Sequence, residues 1–213
     1  VSVFATAILP IVVVGGVGYL LGRFRTVDTD AINTLLIYVL VPALIFHSLT
    51  TTTLAQSTLA RITVAILLFH VLAIAVAEAA GRLFGASKTA LAAVVLVTAF
   101  PNTGNYGVPV SNFAFGATGR ATAVVYLSVQ AVLIWTVGVY IASRGSAESR
   151  LDGLKRVFSV PLVYAVVAAL LARGLGVVPP TGSTAMSTVQ LVGDASIPVM
   201  LLLLGIQLAR TDV

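Results

Sequence analysis

Residues 98–110 read Thr-Ala-Phe-Pro-Asn-Thr-Gly-Asn-Tyr-Gly-Val-Pro-Val, polar chemistry packed among helix breakers inside an apolar stretch. Pro101 and Pro109 each remove a backbone donor and clash with the preceding turn, and Gly104 and Gly107 loosen what remains. An unbroken helix over residues 88–118 would be ~45 Å long at 1.5 Å per residue, against ~30 Å of hydrocarbon. The helix is therefore expected to break between about Phe100 and Pro109. In a bilayer, broken backbone is tolerated only beside protein or a water-filled cavity. The N–H groups freed at the second half-helix, with its dipole, favour an anion. Asn102, Thr103, Asn105 and Tyr106 add neutral donors and acceptors, so a carboxylate could be held without burying a lysine. The plainer alternative is a kinked span whose polar side chains bond neighbouring helices. Two prolines, two glycines and two asparagines so close together favour the binding site.

Other polar groups inside apolar runs have simpler readings beside functional ones. Glu78 is a candidate for ion coupling because an intramembrane carboxylate is functional by default; Arg82 at i+4 also suits a plain helical ion pair. Asp194 stands just before Ile197-Pro198, where a kink would free carbonyls for a cation or proton, or it is simply solvated. His47 and His70 read as hydrogen-bonded packing residues. Gln130, on an unbroken span, reads as helix–helix glue rather than ligand, so Asn102 is expected to matter far more to binding. Gly15, Gly16 and Gly18 permit close helix packing, while Pro42 and Pro198 kink scaffold spans. There is no paired carboxylate, phosphate loop or nucleophile with a base, and no cysteine, so no catalytic residue, metal or cofactor is expected.

Lipid must be the solvent of these elements. Of 213 residues, 59% are hydrophobic and 9% charged, too few charges to cover a water-facing surface. The basic residues are scattered between apolar runs rather than clustered on one face, which argues against a nucleic-acid partner despite a net charge of +5. Seven spans are predicted, roughly 3–22, 31–51, 59–81, 88–118, 121–142, 157–175 and 186–209, all helical. No removable signal peptide is read at the start. With the N-terminus outside, nine basic residues fall in the cytoplasm and three (Arg61, Arg120, Arg173) face outward.

A repeat divides the chain. Pro10-Ile11-Val12…Leu20-Leu21-Gly22-Arg23 is echoed by Pro161-Leu162-Val163…Leu170-Leu171-Ala172-Arg173, and Val41-Pro42-Ala43 by Ile197-Pro198-Val199. Residues 1–142 then form a five-span unit, 143–156 a cytoplasmic loop, and 157–213 the first two spans of an inverted copy, with three spans missing.

The run Pro101-Asn102-Thr103-Gly104-Asn105-Tyr106-Gly107-Val108-Pro109, with Val41-Pro42-Ala43-Leu44-Ile45-Phe46 and Ile197-Pro198…Leu204-Gly205, resembles the auxin efflux carrier family over nearly the whole chain. These are PIN-like transporters of the bile/arsenite/riboflavin transporter superfamily. The resemblance implies ten spans as two inverted five-helix repeats, with spans four and nine broken at prolines and crossing at mid-membrane. It implies that the asparagine after the crossover proline, here Asn102, helps hold an organic anion; the partner crossover would lie beyond Val213. The expected protein is an all-α, multi-pass carrier in the cell membrane. It would export or exchange a small organic anion by alternating access, coupled to H+ or Na+, with a homodimer left open. A monovalent cation/proton antiporter of the same architecture, and a seven-helix receptor or sensor, are the alternatives.

Overall fold

The breakers and apolar runs set the element order in the computed structural model, which describes residues 3–143 and 161–211. Every regular element among them is helical. Helix α1 is Val3–Phe24. Asp28 caps α2, Thr29–Leu35, by accepting the N–H groups of Asp30 and Ala31 at 3.0 and 3.1 Å. A π turn, Leu36–Leu40, leads straight into α3, Val41–Thr51, so the donor missing at Pro42 is absorbed by a widened turn rather than a stop. Then come α4, Gln56–Leu83, and α5, Lys88–Ala99. A π turn, Thr103–Gly107, opens α6, Val108–Leu133; a further π turn, Ile134–Gly138, joins it to α7, Val139–Ala142. The last elements are α8, Pro161–Gly174; α9, Thr184–Asp194; and α10, Ser196–Ala209. The loop expected at 143–156 lies, apart from Ser143, outside the described residues.

Five helical stretches among the described residues are long and apolar enough to cross a membrane, and Pro161–Gly174 is a shorter apolar helix. Lys88–Ala142 counts as one stretch of 55 residues but holds two of the expected spans. It folds back at Gly116, whose φ of 60° and ψ of −144° interrupt α6. Residues with a Cβ rarely reach that region. α9 and α10 are staggered at Ala195, one turn before Pro198, whose ring denies the helix a donor.

Helix α1 lies against α10, α3 against α8 and α9, and α4 against α5 and α6. The main core holds Leu44, Ile45, Val108, Val124, Met200 and Leu203, all fully buried. Between α1 and α10 the backbones touch: a Cβ at Gly22 would lie 2.9 Å from the Cα of Ile206, and one at Gly205 only 2.6 Å from the backbone nitrogen of Tyr19. Gly18 meets the backbone of Leu202 in the same way, whereas Gly16 faces open space. Small residues let helices approach where no hydrophobic force drives them together. The outer faces remain apolar. The most hydrophobic window of Gln56–Leu83 has a mean hydropathy of 2.4 yet is only 11% buried, so hydrocarbon must cover it.

The helix ends are tied at two levels. Arg173 donates to the carbonyl of Leu49 at 2.7 Å, joining the ends of α8 and α3. Arg210 donates to the carbonyl of Val27 and, at 3.5 Å, to the hydroxyl of Thr29, joining the end of α10 to the start of α2. Helices so joined start and finish at alternating levels, as successive membrane crossings require.

Candidate binding site at the broken helix

The helix begun at Lys88 stops at Ala99, and Phe100 leaves helical geometry with φ −117° and ψ 78°. Helical backbone resumes at Thr103. The break therefore covers Phe100–Asn102, shorter than the expected Phe100–Pro109. Gly104 and Gly107 lie in the π turn instead of the gap, and Pro109 sits near the N-terminal end of α6. The physical reason is positional. Pro109 is the seventh residue of the helical run that opens at Thr103, and the widened turn before it absorbs the missing donor as at Pro42. Pro101 instead follows a plain α-helix that stops.

Asn102 caps the second half-helix. Its Oδ1 accepts the N–H of Asn105 at 3.1 Å, and its carbonyl accepts the N–H of Gly107 at 3.1 Å. Asn102 also lines a cavity. That cavity, about 510 Å³, is bordered by Pro101, Asn102, Thr103, Tyr106, Gly107, Ser111, Thr122, Ala123, Tyr126 and Leu204. Three of the four expected ligand-facing residues, Asn102, Thr103 and Tyr106, thus share one cavity. Half-buried Asn105 is not among its lining residues. The C-terminal end of α5 and the N-terminal end of the second half-helix meet here, with roughly half a charge of each sign. Among the described residues, no carboxylate, lysine or arginine lines the cavity.

Gln130 is the helix–helix glue its sequence suggested, and its bonds hold the break. Its Nε2 donates to the carbonyl of Pro101 at 2.7 Å, and its Oε1 accepts the hydroxyl of Thr103 at 2.5 Å. It is 8% exposed, so both bonds are made away from water. A signal did exist in the sequence. Pro101 lies 15 residues before Gly116 and Gln130 lies 14 after it, so a hairpin turning at that glycine brings them to one depth.

The remaining polar residues separate from this site. Glu78 pairs with Arg82 at 2.8 Å, the i,i+4 geometry their spacing allowed, and does not line the cavity. Asp194 pairs with Arg120, Nη2 to Oδ1 at 2.5 Å, linking α9 to α6. That partner, 74 residues away in sequence, was not foreseen. His70 is 2% exposed, with Nδ1 2.8 Å from the carbonyl of Ile66 and its ring 5.5 Å from that of Phe100 and 5.6 Å from that of Tyr126. It backs the break as a packing residue.

A family model described as Membrane transport protein, that of the auxin efflux carriers, matches residues 3–213. The chain belongs to this family. An uncharacterized transporter of Methanothermobacter thermautotrophicus is 26% identical over 204 residues, 95% of this chain. The chain spans 66% of the length of that relative. No solved structure matches it. Family membership and the apolar helices make this a membrane-embedded member of that family.

Proposed function

We propose that this chain supplies one half of the substrate site of a secondary carrier. The carrier would export or exchange a small organic anion by alternating access, with H+ or Na+ as coupling ion. The observation that carries the reading is the break at Phe100–Asn102 opening on a cavity lined by Asn102, Thr103 and Tyr106. Neutral donors beside a helix N-terminus suit a carboxylate. They suit a monovalent cation poorly, because an antiporter's crossover would need a buried acid to bind the ion. Such a protein moves its ligand unchanged and is not an enzyme.

Inverted repeats are part of this proposal. α1 packs on α10 while α3 packs on α8, the reciprocal pairing expected if the first and second helices of one unit meet the second and first of its copy. The excess of basic residues on one side supports an N-terminus outside the cell.

The test is Asn102→Ala, compared with the parent by scintillation proximity or ligand-dependent thermal stabilisation over a panel of carboxylates. Loss of one bond to a charged ligand should weaken binding roughly ten- to a hundredfold. Loss of the cap on Asn105 should cost about 1 kcal/mol of stability. Unchanged affinity in a folded variant would place the anion elsewhere.

A further inference from the structure

The helix contacts sort the described elements into two bundles. One holds α1–α3 and α8–α10; the other holds α4, α5 and α7. Helix α6 lies along their border, touching α4 on one side and α1, α3, α8 and α10 on the other. The cavity at the break is on that border too, since Leu204 of α10 helps to line it. Parting the bundles would therefore widen it.

The polar ties differ in what they join. Those of Arg173 and Arg210 connect helices of the first bundle, and those of Gln130 connect α6 to the break after α5. The pair of Arg120 on α6 and Asp194 on α9 crosses the border. Its acid end is anchored in the first bundle: a Cβ at neighbouring Gly193 would lie 3.0 Å from the Cα of Leu44, so α9 is pressed on α3 there. Its basic end stands over the cavity. Arg120 lies four residues after Gly116, and Ala123, three residues further along α6, lines the cavity. The pair is thus about one helical turn from the cavity, between it and the tip of the Gly116 hairpin.

The pair is also built to open. Both terminal nitrogens of Arg120 reach the same Oδ1 of Asp194. The side chains are 17% and 42% exposed, so water can replace either partner when they separate. A pocket of about 140 Å³, bordered by His47, Thr51, Thr118 and Arg120, gives the released guanidinium room to swing.

We propose that Arg120 and Asp194 form a latch that holds the two bundles closed over the cavity at the break. Its release opens the cavity toward the tip of the Gly116 hairpin. The inference rests on the carrier reading, in which the bundles must part for the guest to pass.

The chain has no cysteine, so a single introduced thiol reports alone. Ser111→Cys places one in the cavity wall, and Ser128→Cys places one at a buried position outside it. Alkylation by iodoacetamide, a small neutral reagent, is followed by intact mass of the purified protein in lipid nanodiscs. Asp194→Asn should speed alkylation of the cavity thiol about fivefold or more, the factor that loss of a partly exposed pair supplies. It should leave the buried thiol slow. Reversing the pair, Arg120→Asp with Asp194→Arg, should bring the rate back toward the parent's. High ionic strength should act on the unaltered pair as Asp194→Asn does, and this arm decides the matter if the substituted chains fail to fold. A cavity thiol whose rate ignores both Asp194→Asn and salt would overturn the latch. Equal acceleration of both thiols would overturn it as well, because the pair would then merely hold the fold together. Carboxylate binding at Asn102 with alkylation indifferent to Asp194 refutes the latch alone. A working latch in a protein that binds no carboxylate refutes the anion reading alone.

Discussion

Gln130→Ala tests the claim that one side chain holds the helix open. The substitution removes a 2.7 Å bond to the carbonyl of Pro101 and a 2.5 Å bond from the hydroxyl of Thr103. Neither group is fully orphaned. The Pro101 carbonyl keeps the N–H of Thr103 at 2.8 Å, and the Thr103 hydroxyl keeps a long 3.4 Å contact with that carbonyl. Interhelical hydrogen bonds in membranes average about 0.6 kcal/mol and reach about 1.7. Two such bonds, partly compensated, put the loss at about 1–2 kcal/mol. Ser128→Ala is the control, because Ser128 sits on the same helix and bonds only the Val124 carbonyl one turn back. It should cost less than about 0.5 kcal/mol. Reversible unfolding in mixed micelles measures both. Carboxylate affinity in Gln130→Ala should fall to within a few-fold of that in Asn102→Ala, because a gap that loses its brace no longer holds the cap in place. If Gln130→Ala and Ser128→Ala were indistinguishable in both assays, the brace would be ornamental and the break maintained by Pro101 alone.

Two backbone predictions follow from the glycines. Gly205→Val should separate α1 from α10 at a cost of about 1–3 kcal/mol or more, read as loss of the monodisperse peak in size-exclusion chromatography, while Gly16→Ala, facing open space, should leave that peak unchanged. Gly116→Ala should lower stability by about 1–3 kcal/mol, since its φ of 60° strains any residue with a Cβ. Gly104→Ala should be neutral or slightly stabilising, because that residue is helical and its nearest neighbour would be the Leu127 Cδ1 at 3.9 Å. Thermal unfolding of this last pair compares them directly, and a Gly104→Ala variant less stable than Gly116→Ala would refute the backbone argument.

What the sequence determined is local or compositional. Apolar runs between charged punctuation specify membrane-crossing helices, because length and hydropathy are summed residue by residue. Pro101 specifies a break because its missing donor and ring act on its own turn. The Glu78–Arg82 pair was legible because helix geometry fixes i,i+4 neighbours. The tertiary structure decided everything that depends on which helices touch. Only packing shows that Gln130 reaches the Pro101 carbonyl, that Arg120 finds Asp194, and that Ser48 is left without a partner. It also settled that Pro109 lies within a helical run instead of prolonging the gap, since the π turn before it absorbs the missing donor. Backbone preferences operate within a few residues, whereas satisfying a buried polar group requires a partner at the same depth in the membrane. A linear sequence states the first directly; the second exists only once the helices have been set side by side.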